Sequence, residues 1–167
     1  GEQRIIPTMM FIHQNNGKAM QAVEFYTQIF PDSKIGGVMK YGEEGNETHD
    51  IAGNIQHAHF EIDGYSFFCM DNSYDHKFDF NEAISIVVMT DDQKETDYLW
   101  NSLTANGGRP SMCGWLKDQY GVSWQIVPKK LIELMNHSDL FRARKVVEKM
   151  MTMQKIDIAA LENAFNS

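Results

Sequence analysis

The chain has 167 residues, 43% of them hydrophobic and 11% aromatic, which suffices for one domain with a sizeable core. Its formal charge of −8, with no block of like charge, gives no grip on phosphates, so nucleic acid and anionic membrane surfaces are poor partners and a small-molecule ligand is expected. No apolar run of roughly eighteen residues exists to span a bilayer.

The two cysteines, Cys69 and Cys113, form neither a CxxC pair nor a disulfide framework, as expected of a reducing compartment. The N-terminus lacks the basic and apolar regions of a signal peptide, and Gly1 in the place of Met reads as a cloning remnant, so the expectation is a cytoplasmic protein.

In chain order, the apolar run Ile5 to Ile12 predicts a strand. A helix follows, with Ala19, Val23, Tyr26 and Phe30 on one stripe, ended by Pro31-Asp32. Ser33 to Tyr41 reads as a second strand and Gly42 to Asn54 as a loop. Ile55 to Asp63 and Tyr65 to Asp71 read as a hairpin turning at Asp63-Gly64. The order is βαβββ, and it repeats. Ala83 to Thr90 predicts a strand, and Asp92 with Glu95 predicts a capping box opening a helix that carries Leu99, Trp100 and Leu103. Asn106-Gly107-Gly108 closes that helix. Three short strands follow, Arg109 to Cys113, Gly114 to Lys117 and Val122 to Val127, so the halves match in element order with an offset of about 75 residues.

Beyond Pro128 the pattern is helical, with Leu131/Ile132/Met135, Val146/Val147/Met150/Met151 and Leu161/Phe165, the last preceded by an Asp157 N-cap. The fold class expected is α+β: two βαβββ modules forming a curved, partly closed mixed sheet, with a C-terminal helical extension. Residues 4–167 form one domain in this reading, with module one at 5–71, module two at 83–128 and the tail at 129–166.

On the strand Ile55 to Asp63, period two puts His57, His59 and Glu61 on one face and Ala58, Phe60 and Ile62 on the other. Two imidazoles and a carboxylate in a row can move protons, and residues at i and i+2 can share a metal, although zinc needs a third convergent ligand. The alternative is an ordinary solvated strand face. On the last strand of module two, Val122, Trp124 and Ile126 alternate with Ser123, Gln125 and Val127. An indole is thus aimed into the core, and the Gln125 amide faces the other way, able to donate and accept toward a substrate carbonyl or hydroxyl. Cys113 and Trp115 flank Gly114, where a backbone can approach a ligand closely. His13, His49 and His76 fall in predicted loops, and Phe78 and Phe80 read as an apolar lid or a dimer contact.

The run Phe78 to Ser85, the Asp92-Gln93, Glu95, Asp97 and Trp100 pattern, Cys113 to Leu116, Asp118 to Pro128 and the Lys155-Ile156-Asp157 tail resemble the PhnB-like branch of the vicinal oxygen chelate (glyoxalase and bleomycin-resistance) superfamily. Many members of that branch are labelled demethylubiquinone methyltransferases. The resemblance covers almost the whole chain. It implies a cleft for a small organic molecule and pairing into homodimers. Metal-dependent members draw ligands from the first and last strands of their modules, which correspond here to Thr8, Ser85 and Gln125, none a strong metal ligand. A divalent metal would then have to be recruited by His57 and His59. Two readings follow. One is a lyase, isomerase or dioxygenase-type enzyme with a degenerate metal site, in which His57, His59 and Glu61 are catalytic and Gln125 and Ser85 orient the substrate beside Cys113. The other is a non-catalytic sequestering protein in which Phe11, Tyr41, Phe68 and Trp115 stack a planar ligand. A third, methyl transfer, lacks the Gly-rich turn and parallel sheet that commonly hold an adenosyl donor.

Overall fold

The computed structural model describes residues 2–43 and 50–167, so His49 and part of the Gly42 to Asn54 segment lie outside the described residues. The chain divides into two compact units, Gly1–Asp79 and Phe80–Ser167.

In the first unit β1 (Thr8–Phe11), α1 (Ala19–Ile29), β2 (Lys34–Lys40), β3 (Ile55–Ile62) and β4 (Tyr65–Asp71) give the expected βαβββ order. The sheet runs β1-β4-β3-β2, with β1 parallel to β4 and the other pairs antiparallel. The first strand is shorter than the apolar run Ile5 to Ile12 suggested. Pro7, which has no N–H to offer a ladder, precedes it and contributes only its carbonyl, to Phe68 N at 3.0 Å, while Ile5 is left 88% exposed. Helix α1 turns Ala19, Ala22, Val23, Tyr26 and Ile29 inward. Tyr26 stacks on Phe60 with ring centroids 6.2 Å apart, and Phe60 on Phe67 at 5.5 Å, so the even positions of β3 become core.

Asp71 organises this half. Lys18, the residue before α1, supplies no capping side chain. The carboxylate at the end of β4 does so instead, accepting from Ala19 N at 3.0 Å and Gly17 N at 2.8 Å through Oδ1, and from Ile55 N at 2.9 Å through Oδ2. One buried side chain therefore ties together the start of α1, the start of β3 and the end of β4.

The second unit repeats the plan with β5 (Ser85–Thr90), α2 (Gln93–Thr104), β6 (Arg109–Pro110), β7 (Trp115–Lys117) and β8 (Ser123–Pro128). Its order, β5-β8-β7-β6 with β5 parallel to β8, reproduces that of the first. Asp92 caps α2 by accepting from Glu95 N at 2.8 Å, while the Glu95 carboxylate accepts from Asp91 N at 3.1 Å, one residue earlier than a capping box requires. Strand β6 is only two residues long where Arg109 to Cys113 was expected. Ser111 to Gly114 instead form a turn, with Trp115 N donating to Met112 O at 3.0 Å and Cys113 at φ +58°.

Three helices follow as expected: α3 (Lys129–Met135), α4 (Leu140–Met150) and α5 (Ile158–Asn166). Leu131, Leu134, Val146, Met153, Ile156, Leu161 and Phe165 bury together with Val127 of β8. Asp139 and Asp157 cap α4 and α5. No helix among the described residues is long and apolar enough to cross a membrane.

Candidate functional site

Each sheet has one helix-covered face and one open face, and the sequence-predicted polar residues sort onto the open ones. On β3, Ala58, Phe60 and Ile62 are buried while His57, His59 and Glu61 are half-buried on the opposite face. Register brings Phe68 and Ser66 of β4 opposite His59 and Glu61. The Phe68 ring lies edge-on to both imidazoles, with centroids 4.6 Å from His57 and 5.7 Å from His59. His59 Nε2 sits 2.9 Å from Ser66 Oγ, and Glu61 pairs with Lys34 at 3.0 Å. His59 also explains a glycine. A Cβ at Gly36 of β2 would come within 2.7 Å of His59 Nδ1, so only glycine lets the edge strand close over the ring.

On the second sheet, parallel and antiparallel registers put Ser85, Ser123, Gln125, Trp115 and Lys117 on one face, with Gln125 opposite Trp115 and Ser123 opposite Lys117. Gln125 donates from Nε2 to Ser85 Oγ at 2.8 Å. Beside them a cleft of about 520 Å³ is lined by residues that include Arg109, Cys113, Trp115, Lys117 and Ser123. That volume lies within the range of small-molecule sites. An amide fixed by a neighbouring hydroxyl, next to an indole and an open cleft, presents a hydrogen-bonding group of known direction to a ligand.

The donors do not suit the divalent metal that the resemblance raised. Ser85 and Gln125 are neutral, and one Gln125 N–H is already given to the Ser85 hydroxyl. Thr8 contributes only a hydroxyl, and among the described residues no group of three His, Cys, Asp or Glu side chains is arranged to hold an ion.

Other expectations are revised. Phe11 is fully buried on the helix-covered side, and Tyr41 is 7% exposed with its hydroxyl donating to Asp71 O at 2.8 Å, so neither offers a face for stacking. Burial, with Asp50 and Asp71 close by, pushes the Tyr41 phenol up. Phe68 and Trp115 remain half-buried on open faces. Gly114 does bring a backbone close, but to protein: its φ is +83°, and a Cβ there would lie 2.9 Å from Ile126 O and 3.2 Å from Ile156 Cγ1. Cys113 lines the cleft, while the unit's single histidine, His137, is engaged by Asp139 N and the Phe165 ring. His13 meets the Phe78 carbonyl at 3.1 Å. His76 meets Asn72 Oδ1 at 2.9 Å and packs against Phe78, which is 56% exposed.

A residue that holds the turn between the strands beside the cleft was not among the sequence candidates. Asp118, 3% exposed, accepts from Tyr120 N at 2.9 Å and Val122 N at 3.1 Å through Oδ1, and from Trp124 Nε1 at 2.9 Å through Oδ2. It closes the β7–β8 turn and satisfies the indole N–H of a fully buried tryptophan, which fixes the register that sets Gln125 against Trp115. The signal was the spacing Asp118, Gly121, Trp124: an acidic residue ahead of a tight turn and an indole that needs an acceptor. The motifs far apart in sequence also meet. Gln93 donates to Ile156 O at 3.0 Å and accepts from Ile158 N at 2.8 Å, and Lys155 pairs with Asp97 at 2.9 Å, locking the tail to α2.

Residues 3–127 match the model of a family described as 3-demethylubiquinone-9 3-methyltransferase. A solved structure of the PhnB protein from Bacillus cereus, provisionally named a 3-demethylubiquinone-9 3-methyltransferase, is 33% identical. It covers 75% of this chain and 99% of its own, with a TM-score of 0.67. A protein from Pseudomonas aeruginosa shares the fold at 20% identity and a TM-score of 0.58, over 75% of this chain and 98% of its own. A fosfomycin resistance protein from Mesorhizobium loti matches at 15% identity and a TM-score of 0.48, over 81% of this chain and all of its own. No curated protein matches the chain.

Proposed function

The chain belongs to the 3-demethylubiquinone-9 3-methyltransferase family, here with a paired βαβββ plan, and from that premise we propose that it binds a small organic molecule on the open face of its second sheet. Gln125, held by Ser85, donates to or accepts from a carbonyl or hydroxyl of the ligand, and Trp115 covers the ligand's apolar part. The observation that carries this reading is the 2.8 Å Gln125–Ser85 bond on an open face that adjoins a cleft of about 520 Å³. An amide whose partner is already fixed loses little freedom when a ligand arrives.

The second reading, an enzyme of lyase or isomerase type, is favoured by the row of His57, His59 and Glu61. Ser66 and Gly36 hold the His59 ring in one orientation, as a proton-transferring group requires. Methyl transfer, the reaction in the family's description, is the reading the residues support least: both sheets are mixed, and an adenosyl donor is commonly held by a parallel α/β sheet with a Gly-rich turn. We also propose that the protein is cytoplasmic and pairs as a homodimer.

The test is a thermal-shift screen against small carbonyl and hydroxyl compounds, repeated on Gln125→Ala. Ligands that bind as proposed raise the wild-type Tm and lose most of that effect in the variant. Ligands that stabilise both proteins equally would place binding elsewhere.

A further inference from the structure

Arg109 and Lys117 face each other across the β6–β7 ladder as direct register partners, so two cations stand side by side on the same face. Such a pair is destabilising unless something compensates it. Glu82 compensates one of them: its carboxylate bonds to Lys117 and is held below the usual carboxylate range by that contact. Arg109 has no carboxylate partner among the described residues. Both cations line the same cleft as Trp115 and Cys113. A protein of net charge −8 thus keeps an uncompensated guanidinium beside a half-buried indole, inside a concavity large enough for a small molecule.

Resting on the binding reading above, we propose that this cleft selects an aromatic carboxylate: the ring stacks on Trp115, and the carboxylate is taken by the Arg109 fork with Lys117 beside it. Guanidinium geometry matches a carboxylate through two parallel hydrogen bonds, which an ammonium cannot reproduce. With Glu82 already spent on Lys117, the cleft carries one positive charge to neutralise, which suits a monoanion better than a phosphate dianion. The indole supplies the apolar surface, and its negative ring face does not oppose a ligand whose charge lies at its far end.

Cys113 lines the cleft and reports occupancy, because the other thiol, Cys69, is fully buried and its pKa is pushed up to about 12. The experiment measures the rate at which iodoacetamide, a neutral reagent, alkylates Cys113 in the full chain, with 2-naphthoate or its neutral analogue 2-naphthamide as competitor. The naphthoate should protect at a concentration about tenfold lower than the amide, the difference expected of a charge-assisted pair. Arg109→Gln should raise the naphthoate concentration needed by about tenfold while leaving naphthamide unchanged, and Arg109→Lys should recover part of the loss. Unchanged naphthamide protection in Arg109→Gln also shows that the variant keeps its cleft. Equal protection by acid and amide, or naphthoate protection indifferent to Arg109→Gln, overturns the carboxylate assignment and leaves the binding reading standing. Protection by neither compound overturns both.

Discussion

Replacing Asp118 by alanine removes the acceptor for three donors at once, Tyr120 N, Val122 N and Trp124 Nε1. The two amide bonds are themselves buried in the turn, and at the net worth of a hydrogen bond each should cost about 0.5–1 kcal/mol. The indole cannot move to water, because Trp124 is fully buried, and an orphaned buried donor costs about 2–3 kcal/mol. The total, about 3–5 kcal/mol, is a large part of the about 5–15 kcal/mol by which proteins of this size are stable. Urea unfolding followed by tryptophan fluorescence measures it, with an unchanged slope showing that the same surface is exposed. A cycle with Trp124→Phe isolates the indole: in that background Asp118→Ala should cost about 2 kcal/mol less. A loss below about 1 kcal/mol for Asp118→Ala, or no coupling to Trp124, would refute the claim that this carboxylate holds the β7–β8 turn.

Gly114→Ala combines a positive φ with a Cβ 2.9 Å from Ile126 O, and should destabilise the protein by about 2–4 kcal/mol in the same urea assay, whereas a neutral result contradicts the packing of the turn against the tail. Native protein should show one fast-reacting thiol and two after denaturation, since burial pushes Cys69 up to about 12; two fast thiols in the native state contradict that burial. Asp71 bears on acid stability. Burial raises its carboxyl above the ordinary 3.8, against three backbone N–H donors that lower it, so the folded state holds the proton more readily than the unfolded one. Its contribution to stability is therefore fully present below 3.8 and is lost as pH rises through the raised value, and Asp71→Asn should flatten stability against pH in that window. An unchanged slope contradicts it.

Much of the fold was legible because its signals are local. Alternation on Ile55 to Ile62 gave both faces of β3, and the Asp92 and Asp157 caps were readable from residue type and position. The duplicated element order also survived, down to the identical strand sequence in the two sheets. What was not legible depends on partners distant in sequence. Phe11 and Tyr41 are aromatic on or beside strands, and sequence alone does not say that the first is fully buried or that the second is bound to Asp71 from 30 residues away. Asp71 and Asp118 look like surface carboxylates until their donors are assembled around them. Gly114 reads as room for a ligand, yet the space is filled by Ile156, about forty residues on, because the tail folds back: Cys113 N and Gly114 N both donate to it at 2.8 Å, to Met153 O and Gln154 O. The His57, His59 and Glu61 row emerged as expected, but Lys34 and Ser66, which engage two of its members, could be placed only once register was known.

The most direct test is nitrogen-edited NMR of the full chain titrated with a compound that raises its Tm. The Gln125 side-chain amide and the Trp115 indole N–H should shift together and saturate at the same concentration, ahead of signals from α3, α4 and α5. Shifts confined to the helical tail, with both of those groups unmoved, would contradict the placement of ligand binding on the open face of the second sheet.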